Sequence, residues 1–456
     1  MMHPLTLQQL ATCVGGTVQG QTSVLVQRVT LDARQVDAGT LFAALVGQRV
    51  DGHDFLDQAQ NNYASAALVE RWQPSRLPQI KVTSVITALA DLASYNRQLF
   101  TAPLIAVTGN SGKTSVKEML AAILMAHYGQ ILATRGNLNN ALGVPLTLLG
   151  LQPTHAAAVV ELGANHLQEI DYLARIAQPD MAIITNVTGA HLGEFGSMQA
   201  IATAKAEVLA HIKLGGCLVL NADDAFYDFW LQQAKQQATG QVISFGFQQA
   251  DVVAKKVQLD KLGNARFTVV TPWGEEAIRL PLPGKHNIAN ALAAIAAAGH
   301  LGVPLATQAQ ALETLQPVAR RLQRINAWGG ALVLDDSYNA SPDAVKSAID
   351  LLAALPASKK LLALGSLAEL GEATDNIHIE LGAYARQKGL DGLFALQGKA
   401  SLAAKAFGEG GKVAVSHEAL AELLKPELNV DTCLLVKGSR TAAMDKLVDL
   451  LVPLNK

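Results

Sequence analysis

Short runs of uninterrupted apolar residues, separated by stretches whose apolar positions recur every three or four residues, dominate the middle of this chain. Leu104 to Val107, Ala156 to Val160, Met181 to Ile184 and Leu218 to Leu220 are such runs. Between the first two, Val116, Met119, Leu120, Ile123 and Leu124 fall on one helical face. Apolar runs separated by helical patterns in this way are the signature of a parallel α/β sheet. From Asp251 to Pro283 the texture changes. Strand-like runs such as Phe267 to Val270 flank turn signals at Gly263-Asn264 and from Pro272 to Gly274, which predicts an antiparallel insertion. A helix-rich stretch from Ile288 to Leu315 follows, and alternation resumes with runs at Ala331 to Leu334, Leu361 to Leu364, Leu393 to Leu396 and Cys433 to Val436. The N-terminal part has short β-rich runs such as Val24 to Val29 and polar turns such as Val50-Asp51-Gly52-His53. The pattern predicts an α/β protein of three domains, 1–83, 84–315 and 316–456. The first is small, and each of the others has its own parallel sheet.

Composition agrees with that division. At roughly 150 residues per domain, 456 residues make about three domains. Half the residues are apolar, and the 16% that are charged fall below the ~25% of an average soluble domain, so a solvated, disordered chain is excluded. The net charge is −2 with no basic block, which leaves a nucleic-acid partner without an electrostatic footprint. Cys13, Cys217 and Cys433 are far apart and in no metal-ligand pattern, as expected in a reducing compartment. The first ten residues lack the basic and apolar regions of a secretory signal. The longest apolar stretch, Ala289 to Ala298, is interrupted by Asn290 and is too short to span a bilayer. A soluble, cytoplasmic, monomeric enzyme with its site in an interdomain cleft is expected.

The strongest local signal is Thr108-Gly109-Asn110-Ser111-Gly112-Lys113-Thr114-Ser115, where an apolar strand turns into an amphipathic helix. Glycines there let backbone N–H groups wrap an anion, the helix N-terminus adds its positive end, and Lys113 supplies a point charge from a solvated loop. Thr114 is placed to offer a hydroxyl to Mg²⁺. The common phosphate loop has a glycine where this chain has Val107; here the glycine is at 109 and the loop is shorter. The segment reads as an ATP site. Glu161 ends an apolar strand, at the sheet edge where ligands of α/β proteins bind, and with Thr114 offers the oxygens that Mg²⁺ prefers.

Thr-Gly-x-x-Gly-Lys-Thr resembles the loop of the Mur ligases and folylpolyglutamate synthetases, which join an amine to a carboxylate with ATP. Further matches run along most of the chain: Glu161-Leu162-Gly163, Asn186-Val187 with His191, Ala204-Lys205-Ala206-Glu207, Gly284 with His286-Asn287, Asp335 to Asn339, and Lys437 to Arg440. The last two resemble the branch that adds D-alanyl-D-alanine to UDP-N-acetylmuramoyl-tripeptide. So does Thr134 to Asn140 with Gly143 and Pro145. The resemblance implies a central P-loop ATPase-like domain, a Rossmann-like C-terminal domain for the amine substrate, and an N-terminal domain for the UDP part.

It also implies residue roles. A second magnesium would lie near His191, and Lys205, which composition alone makes a surface lysine, would carry a CO2-derived carbamate as an oxygen donor. His286 and Asn287 would lie near the adenine, with helix capping as the alternative for Asn287. Arg321 would bring a charge to the phosphates; Arg320 stands where the family has glycine. Asp335 and Asp336 would face the ribose and the hinge, or cap locally. On the substrate side, Asp32, Arg34, Gly47, Asp51 and His53 would meet the UDP part, although Ala33 replaces a family serine and an isolated Asp-Gly-His is commonly a turn. Asn137, Asn139 and Asn140 belong to the branch motif. Asn339, Lys437 and Arg440 would face the dipeptide, with Ser341 in place of a family Asn and Glu369 in an Ala-Glu-Leu-Gly loop. Within the family the rival is the ligase adding the third amino acid, whose Asp-Asn-Pro-Arg stretch is missing here. A folylpolyglutamate synthetase generally lacks this N-terminal domain. From another class, a non-catalytic ATP-binding module remains an alternative.

Overall fold

Successive residues of each central strand enter different hydrophobic cores, as strands covered on both faces must. Ile105, Val107, Val159, Ile183 and Val219 join one core, shared with the helices Lys113–Tyr128 and Lys285–His300. Ala106, Val160, Ile184 and Leu218 join the other. The computed structural model describes residues 2–47, 49–189, 192–237, 239–260 and 262–452. In it these strands form a nine-stranded sheet ordered Leu132–Ala133, Ala158–Glu161, Leu104–Thr108, Met181–Ile184, Cys217–Asn221, Gln241–Gly246, Val252–Leu259, Asn264–Thr271, Gly274–Pro283. Pairing is parallel up to Val252–Leu259 and antiparallel beyond it. The antiparallel segment expected after Asp251 therefore extends the central sheet instead of standing apart from it. The helix Lys285–His300 can lie in the core because its alanines leave little side-chain bulk between it and the sheet; Ala291 and Ala293 to Ala298 are fully buried.

Toward the C-terminus a six-stranded sheet runs in the order Gln323–Asn326, Leu332–Asp336, Thr432–Lys437, Lys359–Leu364, Gly392–Leu396, Gly411–Ala414, parallel except at its first edge. The N-terminal sheet has five strands within residues 17–81. Its core is continuous with the central one: Leu10, Leu41, Leu68 and Ile80 pack in the same cluster as Leu89, Leu92, Ala106 and Val160. The helix Val85–Gln98, capped by Ser84 on Thr87 N, carries the bridge. Its Arg97 is 1% exposed and donates to Ala177 O (2.8 Å), Phe100 O (2.7 Å), Gln178 O (2.8 Å) and Asp180 Oδ2 (2.8 Å). A buried guanidinium so fully partnered pins this helix to the central domain.

The three cysteines are free. Burial pushes the Cys217 and Cys433 thiols up to about 12, so neither can act as a thiolate nucleophile at neutral pH. Among the described residues, no helix is long and apolar enough to cross a membrane.

Candidate active site

The carboxyl ends of Leu104–Thr108, Ala158–Glu161 and Leu332–Asp336 open on one cleft of about 1010 Å³, walled by Lys113, Glu161 and Asn186 on one side and Arg321, Asp336 and Lys437 on the other. Edges of this kind bind ligands because strand ends leave side chains free while loops close around them.

After Thr108 the backbone passes through Gly109 (φ 137°) and Gly112 (φ 81°). A Cβ at 109 would lie 2.0 Å from Thr185 Oγ1, and one at 112 would lie 2.3 Å from Asn290 Oδ1. Both positions need glycine. The loop is braced from the next strand: Asn110 N donates to Asn186 O (3.0 Å), Ser111 N to Asn186 Oδ1 (2.9 Å), and Ser111 O accepts from Thr185 Oγ1 (2.7 Å). The helix Lys113–Tyr128 starts with no side-chain cap, so its first N–H groups are left for an anion.

Lys113 is not the freely solvated lysine expected. It is half-buried, and its ammonium donates to Gly109 O (2.8 Å) and Asn110 O (2.9 Å). Crowding by protein lowers its pKa; Glu161 opposes that shift and Arg321 adds to it.

Glu161, 2% exposed, is held at three points. Its N donates to Thr134 Oγ1 (3.0 Å), Thr114 Oγ1 donates to its Oε2 (3.0 Å), and Asn139 Nδ2 donates to its Oε1 (2.8 Å). A hydroxyl and a carboxylate side by side next to the phosphate loop are hard oxygen donors, and they fit Mg²⁺, which keeps most of its waters. Among the described residues no three His, Cys, Asp or Glu cluster. His191 lies outside the described residues.

Lys205 is 1% exposed, which overturns the surface reading. Its ammonium lies 5.4 Å from the centre of the Phe195 ring and makes no hydrogen bond or ion pair with a described residue. Burial, reinforced by the charge of Lys113, lowers its pKa to about 7 against the opposing pull of Glu207 and Glu169. The carboxylate of Glu207 is turned instead to the helix Glu169–Ala177, accepting from Gln168 N (2.7 Å) and Asp171 N (3.1 Å).

At the start of the helix Lys285–His300, on the same side as Lys113, His286 faces the cleft, and desolvation lowers its pKa, with Asp336 opposing and Lys437 adding to the shift. Asn287 does not cap its helix; its Nδ2 donates to Pro283 O (2.8 Å), and its Oδ1 accepts from Asn290 Nδ2 (3.2 Å). Arg321 stacks on Tyr338, 4.1 Å from the ring centre. Neighbouring strand residues face opposite ways, so of the two aspartates only Asp336 lines the cleft. It pairs with Lys437 and accepts from Leu322 N (3.3 Å). Asp335 is buried elsewhere, accepting from Ser337 N (3.0 Å), with its pKa raised by burial.

Several expected substrate residues are engaged locally. Lys437 also donates to Asn339 O (2.9 Å), so its charge is shared within its own domain. Arg440 is away from the cleft, 3.9 Å from Asp445. Asp32 caps the turn Ala33–Gln35 and pairs with Arg34 (2.9 Å). Asp51 pairs with Arg71 and with His53 Nδ1 (2.6 Å), while His53 Nε2 accepts from Glu70 N (3.0 Å). Gly47 N bonds Val50 O (2.9 Å) in the same turn region. These five N-terminal residues do not line the cleft. Asn137, Asn139, Asn140 and Asn339 do.

Arg320, in the place of a family glycine, takes the left-handed backbone a glycine would favour, at φ 63°, and pairs with Asp445 (3.0 Å). Such a residue carries strain. Arg320→Gly is expected to be more stable than Arg320→Ala by about 1 kcal/mol, the reverse of the usual order, because both lose the ion pair and only alanine keeps the strain. Chemical denaturation of the two variants checks this; the usual order would contradict the strained turn.

Sequence reasoning passed over Asn290, Tyr338 and Lys117. Asn290 had one signal, a lone amide inside an alanine run. Lys117 is buried and donates to Thr134 O (2.8 Å), behind Glu161, with nothing in its spacing to separate it from a surface lysine.

Three family models match the chain in order. Residues 25–97 match the family model described as Mur ligase family, catalytic domain. Residues 107–298 match the Mur ligase middle domain, and 320–440 the Mur ligase, glutamate ligase domain. The UDP-N-acetylmuramoyl-tripeptide--D-alanyl-D-alanine ligase of Escherichia coli (strain K12) is 40% identical over 451 residues, covering 98% of both chains. Its namesake in Bacillus subtilis (strain 168) is 33% identical over 460 residues, again with 98% of each covered. Among solved structures, MurF from Acinetobacter baumannii superposes with a TM-score of 0.90 at 37% identity, over 98% of this chain and 99% of that one. MurF ligase from Thermotoga maritima in complex with ADP gives 0.81 at 28% identity, over 93% and 96%. With all three segments matched in order and relatives aligned over nearly their whole length, the chain belongs to the Mur ligase family.

Proposed function

We infer that this chain is an ATP-dependent ligase that adds D-alanyl-D-alanine to UDP-N-acetylmuramoyl-tripeptide, a cytoplasmic step of peptidoglycan precursor synthesis. The observation that carries the reading is full-length similarity to enzymes of that name, together with a cleft in which Lys113 and Arg321 come from different domains. The alternative branch, which adds the third amino acid, lacks support of that kind.

The chemistry follows from the residues. The tripeptide's terminal carboxylate oxygen attacks the γ-phosphorus of ATP, the bond to the bridging oxygen breaks, and ADP leaves. The first turn of the helix at Lys113, the Lys113 ammonium and the Arg321 guanidinium stand where negative charge spreads over the transferring oxygens. The dipeptide amine then attacks the acyl phosphate carbon; the carbon–nitrogen bond forms, phosphate leaves and the amine gives up a proton. No side chain need become a covalent nucleophile. Holding three substrates in one cleft removes most of the entropy cost of bringing them together.

Thr114 and Glu161 would hold magnesium, which offsets phosphate charge when bound. Lys205 is the candidate for carbamylation. With a pKa near 7, a large share of the amine is neutral at physiological pH, the form that attacks CO2 to give a carbamate and a proton. The product would be an anionic oxygen donor where a buried cation otherwise has no hydrogen-bonding partner among the described residues. The N-terminal domain would receive the UDP part, with Arg34 and exposed backbone as contacts, and Asn339 would face the dipeptide.

The experiment is phosphate release by the purified protein with ATP and a panel of UDP-muramoyl peptides and amines. ADP should form quickly only with UDP-muramoyl-tripeptide present, and amide only when D-alanyl-D-alanine is added. Phosphate release indifferent to every acceptor and amine would leave only an ATP-binding module.

A further inference from the structure

Among the described residues, hydrogen bonds join the central and C-terminal domains at two seams. At one, Arg324 donates to Leu262 O and Asn264 Oδ1 (3.0 Å) in the hairpin turn of the central sheet. At the other, Gly193 N donates to Glu369 O (3.1 Å) and Gly189 N to Asp343 Oδ2 (3.1 Å). Both of these donors on the central domain are backbone N–H groups, and the approach is very close. A Cβ on Gly193 would lie 2.6 Å from Gly371 N and 2.9 Å from Glu369 O. Those are backbone atoms, which cannot swing aside as a long side chain would. On the other partner, Glu369 (φ 62°) and Gly371 (φ 59°) are both left-handed, an uncommon conformation for a glutamate, so this turn is held in a special shape.

Gly193 itself has no positive φ and lies in the short helix Leu192–Phe195, where alanine is favourable. Among the described residues, the three atoms nearest to a Cβ at 193 all belong to the C-terminal domain. The same helix carries Phe195, whose ring lies over Lys205. We propose that Gly193 is a positioning residue of the closed enzyme. The turn Glu369–Gly371 docks on its bare backbone, and this docking holds the helix Leu192–Phe195 in place over Lys205 while Arg321 and Asp336 face the phosphate loop. The kinetic readout rests on the ligase reading; the structural readout below does not.

The test is Gly193→Ala, compared with the unaltered chain by melting temperature, by small-angle X-ray scattering with ADP and UDP-muramoyl-tripeptide, and by steady-state kinetics. The variant should melt as the unaltered chain does, because the added methyl meets only the other domain. It should scatter with a larger radius of gyration than the unaltered chain under those ligands. Its kcat should fall about 10- to 100-fold, the range expected for a contact overpacked by one methyl, with KM for ATP nearly unchanged. Normal compaction overturns the proposal whether or not activity falls, since the methyl was then accommodated. A markedly lowered melting temperature overturns it too, because glycine would then serve its own domain. Expanded scattering with an intact melting temperature supports the proposal even if the chain proves to use other substrates.

Discussion

Lys113→Ala is expected to turn over at least ~100-fold more slowly than the unaltered enzyme, a conservative loss for removing a positive clamp from a transferring phosphoryl group. The ammonium already sits among loop carbonyls, bonded to Gly109 O and Asn110 O, so it is preorganised beside the site and need not be drawn in from solvent. The side chain is only half-buried, so water can take its place at those carbonyls and the melting temperature should change little. Lys113→Arg separates charge from shape: it restores a cation but cannot reproduce a compact ammonium between two carbonyls, and should recover only part of the loss. Phosphate release under saturating substrates, beside a melting curve, checks all of this. Near-normal turnover in Lys113→Ala would remove the phosphate loop from the mechanism.

The second large effect is expected at Lys205. Lys205→Ala should be nearly inactive, and short carboxylic acids such as formate or acetate should restore part of the rate by supplying the oxygen donor that a carbamate on Lys205 would provide. Loss of a structural lysine alone would not be rescued by an acid. Mass measurement of the intact protein under bicarbonate should show the added CO2 and should not show it in the variant. A fully active Lys205→Ala would dispose of the carbamate and of Lys205 as a site residue together.

The two residues differ in how far the sequence alone could place them. The surroundings of Lys113 are local: strand, glycines, lysine and helix are contiguous, and backbone geometry follows from their order. The double-sided burial of the central strands was legible for the same reason, since apolar runs carry their own signal. Lys205 is different. Its burial comes from a fold that brings Phe195 over it, and its low pKa depends in part on the distant charge of Lys113; neither has a trace in Ala204-Lys205-Ala206-Glu207. Asp335 and Asp336 show a third case. Side chains alternate along a strand, so two adjacent aspartates could not both face the cleft, and which one does depends on register. The N-terminal motif shows the reverse: Asp51 and His53 make the turn that an Asp-Gly-His commonly makes, and the local reading was the informative one there. Arg320 lies between, because a departure from the family's glycine flagged the position while only the backbone showed the left-handed geometry.

The central claim is the choice of acceptor and amine. Its most direct test is a competition in one vessel with limiting enzyme, ATP, both UDP-muramoyl-dipeptide and UDP-muramoyl-tripeptide, and both a free diamino acid and D-alanyl-D-alanine, with products resolved by mass. UDP-muramoyl-pentapeptide is expected, formed in one step from the tripeptide and the intact dipeptide, with single D-alanine a poor substitute when it replaces the dipeptide. Preferential conversion of the UDP-muramoyl-dipeptide to tripeptide would contradict it and move the chain to another branch of the family.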